Sequence, residues 1–335
     1  MLKRWAILLV LAIALTSHLG WCAEPLKIRI GWIVTPGELT PILFAHPGLA
    51  RHEGQSYVVE PTHLAVPPLG ITALASGDLD IGGFGFATAA NAITGAGLDD
   101  LRIIGDVEQD GVEGWYSNEY MVLKDSPIRT IADLKGKVLG TNSVGSVSDI
   151  CQRIMLRKNG IDDRTEVTIV GVAPPNMNAA LLEGKVDLVG LFQPFSMDAA
   201  LREKTRTLFT QRDAVGRSQV SSIVARAGFI QKNHAALVDY FEDYLRALHW
   251  YLDPANHQEA VRILASYTKR PEALFDSWAF THRDQYRDPN ALPDVEAMQQ
   301  NIDLLYQYGF LKTKLDIRPH VDLSLMREAA ARLNQ

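Results

Sequence analysis

The sequence predicts an α/β protein of two similar lobes that face each other across a ligand cleft and are joined by two hinge crossovers. Three observations predict it. Short β-periodic runs alternate with helical runs from Leu26 to Arg226. One pattern of residues occurs twice, once in each half of that region. The remainder of the chain carries helical spacing only. At 335 residues the chain is long enough for two lobes, each with its own core.

Leu26, Ile28 and Ile30 alternate with Lys27 and Arg29 up to Gly31, which reads as a strand. Tyr57 to Val59 is a second strand. A helix of small residues follows Pro67-Pro68 and stops at Gly77. Leu79 to Gly82 is a third strand, followed by a helix through Ala89, Ala90, Ala92 and Ile93. Leu101 to Val107 is a fourth. Strands and helices alternating in this way predict βαβ units and a largely parallel sheet.

A second set begins at Glu119. Tyr120 to Leu123 is a strand, Ile131 to Leu134 a short helix, and Lys137 to Gly140 a strand. A helix then runs to about Lys158 and stops at Asn159-Gly160. Val167 to Val172 and Val186 to Leu191 are strands flanking a helix over Asn176 to Leu182. Ile223 to Arg226 is expected to close this second set. Beyond it, Leu237, Phe241, Leu245, Leu248 and Leu252 recur at helical spacing, as do Met298, Ile302 and Leu305 before a stop at Gly309.

The repeated pattern is A-L-x-x-G-x-[LV]-D-[IL]. It is spelled by Ala73 to Ile81 and again by Ala180 to Leu188. Each copy is a helix end, a glycine able to take a left-handed cap, and a buried strand. Each also follows a glycine-ended strand at similar spacing, Gly31 in one case and Gly140 in the other. Two open α/β lobes of this kind bind ligands beyond the carboxyl ends of their strands. Asp80 and Asp187 occupy equivalent places. They are read either as ligand groups or as acceptors for backbone donors at the glycine turn, and their presence in both lobes favours the second.

Composition narrows the function. Hydrophobic residues are 47% and charged residues 21%, with a formal net charge of −6 and no basic block, so nucleic acid is not an expected partner. Lys3-Arg4, the apolar run Trp5 to Leu15 and a small-residue region have the order of a secretory signal peptide, expected over residues 1–22. The end of that segment is read as cleavage after Cys22 or as a degenerate lipobox with Cys22 lipidated. Cys151 is the other cysteine and is expected to be a buried apolar residue. His46, His52 and His63 match no compact metal-ligand spacing, and no metal or cofactor is expected. Gly82 to Thr88 is a poor dinucleotide fingerprint, because Thr88 stands where the third glycine belongs. No G-x-S-x-G, H-E-x-x-H or P-loop motif occurs, so no catalytic residue is assigned.

The stretches Ile28 to Trp32, Ala73 to Gly82, Asp125 to Ile128, Ile131 to Val138 and Ala180 to Asp187 carry a family resemblance. The chain resembles the nitrate/sulfonate/taurine-type solute-binding proteins, which are a branch of the type II periplasmic binding fold and are related to proteins that bind thiamine-precursor pyrimidines. The resemblance implies a first lobe over 23–117 and 230–335 and a second lobe over 118–229. It implies hinge crossovers near Ser117-Asn118 and Ala227-Phe229. It also implies a non-enzymatic, monomeric, extracytoplasmic protein that captures a small solute and delivers it to an ABC permease and its ATPase. The rival readings are an exported enzyme and a sensory ligand-binding protein.

The same resemblance places the ligand at strand-end loops and the helices that follow. The candidates are Trp32, Glu38, Phe84, Phe86, Thr88, Thr141, Asn142, Ser143, Ser146, Phe192 and Phe195. Helix N-termini offer unpaired N–H groups to an anion, although the short polar residues at 141–146 also read as ordinary caps. Trp32 and one of Phe192 or Phe195 are expected as apolar walls. Glu38 is expected either to accept from a donor-bearing ligand or to face solvent. The expected ligand is a small organic anion, a sulfonate or carboxylate with an aromatic body among them, with a thiamine-precursor pyrimidine as the alternative. The acidic Glu38 and the long segment Asp106 to Asn118 depart from the pattern for a simple inorganic anion such as nitrate.

Overall fold

Two five-stranded sheets lie side by side in the computed structural model, which describes residues 24–334. The signal-peptide and Cys22 readings fall outside the described residues. The first lobe begins with β1 (Leu26–Trp32), β2 (Tyr57–His63), α1 (Pro67–Ser76), β3 (Ile81–Phe84), α2 (Phe86–Gly95) and β4 (Leu101–Asp110). The chain then crosses to β5 (Glu119–Leu123), β6 (Val138–Thr141), α3 (Val147–Lys158), β7 (Thr168–Gly171), α4 (Met177–Leu182), β8 (Leu188–Leu191), α5 (Ala199–Lys204), β9 (Thr205–Thr210) and α6 (Gln211–Val215). It returns as β10 (Ser218–Arg226). Five further helices follow: α7 (Ala227–Lys232), α8 (His234–Leu252), α9 (His257–Thr268), α10 (Val295–Gln307) and α11 (Ser324–Leu333).

The strand orders are β2-β1-β3-β10-β4 and β7-β6-β8-β5-β9. They are the same topology. In each sheet the three βα-connected strands run parallel, and the strand next to the outer one is antiparallel and has just arrived from the other lobe. The sheets are therefore mixed rather than largely parallel.

Two sequence expectations need correction. The strand ending at Arg226 does not close the second set. It pairs antiparallel with β3 and β4, placing Val224 opposite both Gly82 and Ile103. The outer place in the second sheet is taken by β9, which the sequence reading missed because threonines and Arg206 leave only Leu208-Phe209 apolar in it. The return crossover therefore lies between Gln211 and Ser218. Ala227 to Phe229 instead opens α7, which packs on β10 in the first lobe. Nothing local in Ile223-Val224-Ala225 says which sheet it joins; all three are buried and suit a central strand in either.

The repeated pattern has a structural meaning. Gly77 and Gly184 both take left-handed backbone, at φ 79° and 69°, and end their helices. Asp80 Oδ2 accepts the backbone N–H of Arg29 at 2.9 Å, and Asp80 N–H donates to Arg29 O at 2.9 Å. Asp187 repeats this with Val138, at 2.9 and 2.7 Å. Each aspartate ties the start of its strand, β3 or β8, to the neighbouring parallel strand, β1 or β6, at the end remote from the cleft.

The two crossovers run side by side. Asp110 is fully buried and accepts from Ser117 Oγ and from Asn118 N–H at 2.5 and 2.7 Å. Asn118 Nδ2 donates to Gln211 Oε1 at 3.1 Å, and Gln211 Nε2 donates to Ser218 Oγ at 2.7 Å. A hydrophobic cluster continues between the lobes, from Phe84, Phe86 and Ala90 to Tyr120, Cys151 and Leu188. Cys151 is buried within it.

Asp187→Ala should destabilise the protein by about 1 kcal/mol, the cost of leaving a half-buried N–H without its acceptor. Asp80→Ala should match it, with an added loss of its ion pair to Arg29. Urea unfolding checks both, and solute affinity should be little changed in either variant.

Candidate ligand site between the lobes

A cavity of ≈ 130 Å³ opens between the carboxyl ends of the parallel strands of the two sheets. The first lobe supplies the loop Ile33 to Glu38 after β1, Gly83 and Gly85 around the start of α2, Glu108 on β4, and Val220-Ser221 on β10. The second lobe supplies Asn142, the first residues of α3, and Phe192-Gln193 after β8. Asn118 and Gln211 of the crossovers form part of its wall, as do Asp284 and Gln285 from the segment between α9 and α10.

Of the residues singled out in the sequence, Glu38, Thr88, Asn142, Ser146 and Phe192 line this cavity. The other six do not. Phe84 and Phe86 are 1% and 0% exposed and belong to the core cluster between the lobes, where burying each ring is worth about 1.5–3 kcal/mol. Trp32 shares the β1 face of Ile28 and Ile30 and packs on His63 and Tyr267, with ring centroids 4.4 and 5.9 Å away. Thr141 is fully buried at the end of β6. Ser143 turns to Val144 O, and Phe195 stands edge-on behind Phe192 at 5.6 Å.

The polar groups explain their own positions. Ser146 Oγ donates to Asn142 Oδ1 at 2.6 Å and accepts from Asp149 N–H at 3.3 Å, while the Asp149 carboxylate accepts from Gly145 N–H at 2.8 Å. The α3 N-terminus is thus supplied with a cap and a negative charge from its own chain. The α2 N-terminus, capped by Gly85, has neither. Glu38 is half-buried and bends back on its loop, where one oxygen accepts from Ile33 and Val34 N–H. Its other oxygen occupies the space a side chain on Gly83 would need; a Cβ there would come within 2.1 Å. Burial pushes the Glu38 carboxyl up to about 7 and that of Glu108 up to about 8. Asp106 and Asp110 are raised to about 7 for the same reason.

The sequence reading passed over Glu108, Asn118, Gln193, Gln211, Asp284 and Gln285. A partial signal for Glu108 was present: Asp106, Glu108 and Asp110 alternate in the sequence, a period of two that would put three acids on one face of a regular strand, although the pairing of β4 with β10 shifts register between Asp106 and Glu108. The buried counter-charge is Arg287. It pairs with Asp284 at 3.0 Å, stands 4.0 Å from Glu108 and donates to Pro36 O at 2.9 Å. Among the described residues no Lys, Arg or His lines the cavity, and no group of three or more His, Cys, Asp or Glu residues could hold a metal ion.

The chain matches the NMT1-like family over residues 22–265. It is 26% identical over 311 residues to the aliphatic sulfonates-binding protein of Escherichia coli K12, covering 89% of each chain. The alkanesulfonate-binding protein SsuA from Xanthomonas axonopodis, solved with MOPS, superposes with a TM-score of 0.71 at 21% identity, covering 90% of this chain and 100% of that one. The desulfurization enzyme DSZB superposes with a TM-score of 0.65 at 14% identity, covering 92% and 99%. One fold therefore serves a binding protein and an enzyme, and the site has to decide between them.

The raised carboxyls have a stability consequence. A carboxyl whose folded pKa lies above its unfolded value contributes stability that is fully present below about pH 4.5 and is lost as pH rises through the folded value. For Glu108 the loss runs from about pH 4.5 to about 8. Glu108→Gln should therefore flatten the fall of Tm over this range and raise Tm at pH 8 by a few degrees, at roughly 2–4 °C per kcal/mol for a chain of this size. Thermal unfolding of both proteins at pH 5, 6.5 and 8 checks it.

Proposed function

The chain belongs to the NMT1-like family, and from that premise we propose that it is the extracytoplasmic solute-binding component of an ABC importer, closing its two lobes on a small organic solute and presenting it to a permease. The observation that carries this reading is the cavity itself. Its walls come from both lobes and its rim includes the paired crossovers, so a molecule inside touches both moving bodies and the hinge. A solute bridging the lobes has higher affinity for the closed form and shifts the population toward it. Localisation outside the cytoplasm follows the signal segment expected at residues 1–22. Among the described residues no helix is long and apolar enough to cross a membrane.

Closure has an identifiable clasp away from the cavity. Arg157 on α3 donates to Tyr308 O at the end of α10 and lies over the Phe310 ring, 4.2 Å from its centre. On the cavity side Gln193 Nε2 donates to Arg283 O at 2.8 Å. Both contacts join the second lobe to the segments packed on the first.

The organic anion expected from the sequence has one favourable feature, the unfilled first turn of α2. Glu38 and Glu108 oppose it: at an effective dielectric of about 20, two like charges 4 Å apart cost about 4 kcal/mol. The enzyme reading rests on the shared fold with DSZB alone. Incubating saturating solute with the protein and following it by mass spectrometry tests that reading. Recovery of the solute unchanged supports a carrier, and steady turnover would sink the carrier role.

Arg157→Ala should weaken solute binding about 3- to 10-fold by loosening the closed form, with the cavity walls intact. Calorimetry reads the affinity, and small-angle scattering should show ligand-induced compaction that needs more solute in the variant. Unchanged affinity would mean that the clasp plays no part in closure.

A further inference from the structure

We propose that the cavity between the lobes takes a small organic cation, a protonated amine or amidine on an apolar body, held by the carboxylates of Glu38 and Glu108. This rests on the solute-binding reading above and names the class of solute.

Several hydrogen-bonding groups in the cavity lining are left unspent, most of them acceptors. Asp284 is used up: its two oxygens accept from Phe280 N–H, Gln285 N–H and Arg287. Glu38 spends one oxygen on its own loop. The Glu108 carboxylate has no hydrogen bond among the described residues, and Arg287, which already serves Asp284 and Pro36, reaches it only at 4.0 Å.

Two amides add to the excess of acceptors, and their orientations are fixed by their partners. Gln193 must turn its NH₂ to Arg283 O, because a carbonyl only accepts. That leaves Gln193 Oε1, on a residue only 6% exposed, without a partner among the described residues. Asn118 must turn its NH₂ to Gln211 Oε1, because the Gln211 NH₂ is committed to Ser218. Asn118 Oδ1 is likewise without a partner among the described residues. The lining thus offers carboxylate and amide oxygens, with Gln285 Nε2 as an unpartnered donor beside them, and among the described residues no cationic side chain. Phe192 and the aliphatic residues Ile33, Val34, Pro67, Val147 and Val220 supply the remaining wall. An aromatic face and an apolar wall suit the body of an organic cation better than a hydrated metal ion.

Proton linkage gives the proposal a signature independent of affinity. The charged groups around Glu108 are Arg287, Asp284, Glu38 and Asp106, and Tyr244 on α8 faces the same group of charges. With the two cavity carboxyls raised to about 7 and 8, each carries a substantial fraction of a proton near pH 7.5. An entering cation favours the ionised forms and expels protons. An entering anion favours the protonated forms and takes protons up.

The experiment is isothermal calorimetry on the full purified protein at pH 7.5, in two buffers of different ionisation enthalpy. The probes are n-butylamine, benzylamine and benzamidine, set against butanesulfonate and phenylmethanesulfonate. Saturable binding of the cation series with proton release is expected, together with an affinity loss of at least tenfold in Glu108→Gln and in Glu38→Gln. Thermal unfolding of each unliganded variant provides the folding control, and two independent variants keep the test valid if one fails to fold. Binding of the sulfonates alone, or proton uptake, would overturn the cation proposal and leave the solute-binding reading standing. Cation affinity unchanged in both variants would overturn it as well. Saturable binding by neither series would overturn the solute-binding reading and this one with it.

Discussion

Each sheet is completed by the first strand to enter it from a crossover, set antiparallel among strands that run the other way. β5 sits between β8 and β9, and β10 sits between β3 and β4. Without β10 the edges of β3 and β4 would lose their ladder partners, and unpaired backbone groups in a buried sheet are costly. The lobes therefore cannot part. What remains free is rotation about the two crossovers, which Asp110, Asn118 and Gln211 bind to one another by hydrogen bonds. This constraint puts the carboxyl ends of both parallel sets on one cleft and makes opening and closing the available large motion.

The same strands carry the charge. β4 carries Asp106, Glu108 and Asp110 at alternate positions, with a register irregularity between the first two, and each has a different task. Asp110 pins the crossover. Asp106 accepts from Gln219 Nε2 and from Asp288 N–H, at 2.6 and 2.9 Å, fastening β10 and the segment after α9 to β4. Glu108 alone of the three faces the cavity without a hydrogen bond. Buried carboxylates are normally paired because desolvation is expensive, and among the described residues Arg287 is the single fully buried cation set against several of them. The imbalance is a cost to the empty protein that a positively charged ligand would offset.

The fold was largely legible in the sequence because its local signals agree. Alternation marked the strands, glycine caps marked the helix ends, and the repeated Ala-Leu pattern exposed two lobes of one design. The candidate site was legible only in part. Phe84 and Phe86 sit at a strand end, where a ligand wall and a core residue look the same, and only packing showed that the cluster between the lobes holds them. Trp32 is held away from the cavity by His63 and Tyr267, partners that strand alternation in the sequence does not reveal. Phe192 and Phe195 were indistinguishable in sequence, and their edge-on packing puts one at the cavity and the other behind it.

The sequence by itself determined what depends on neighbouring residues: the strands and helices, the two glycine turns, and the aspartates that lock them. Tertiary structure alone decided what depends on residues far apart in the chain. It chose the sheet for β10, moved the return crossover to residues 211–218, and brought Glu38, Glu108, Gln193 and Asp284 to one cavity. The physical reason is that strand pairing and charge burial are settled by partners that local patterning does not encode. An apolar strand is equally content in either sheet until its edges are filled, and an acid on a strand is an ordinary surface residue until the fold closes over it.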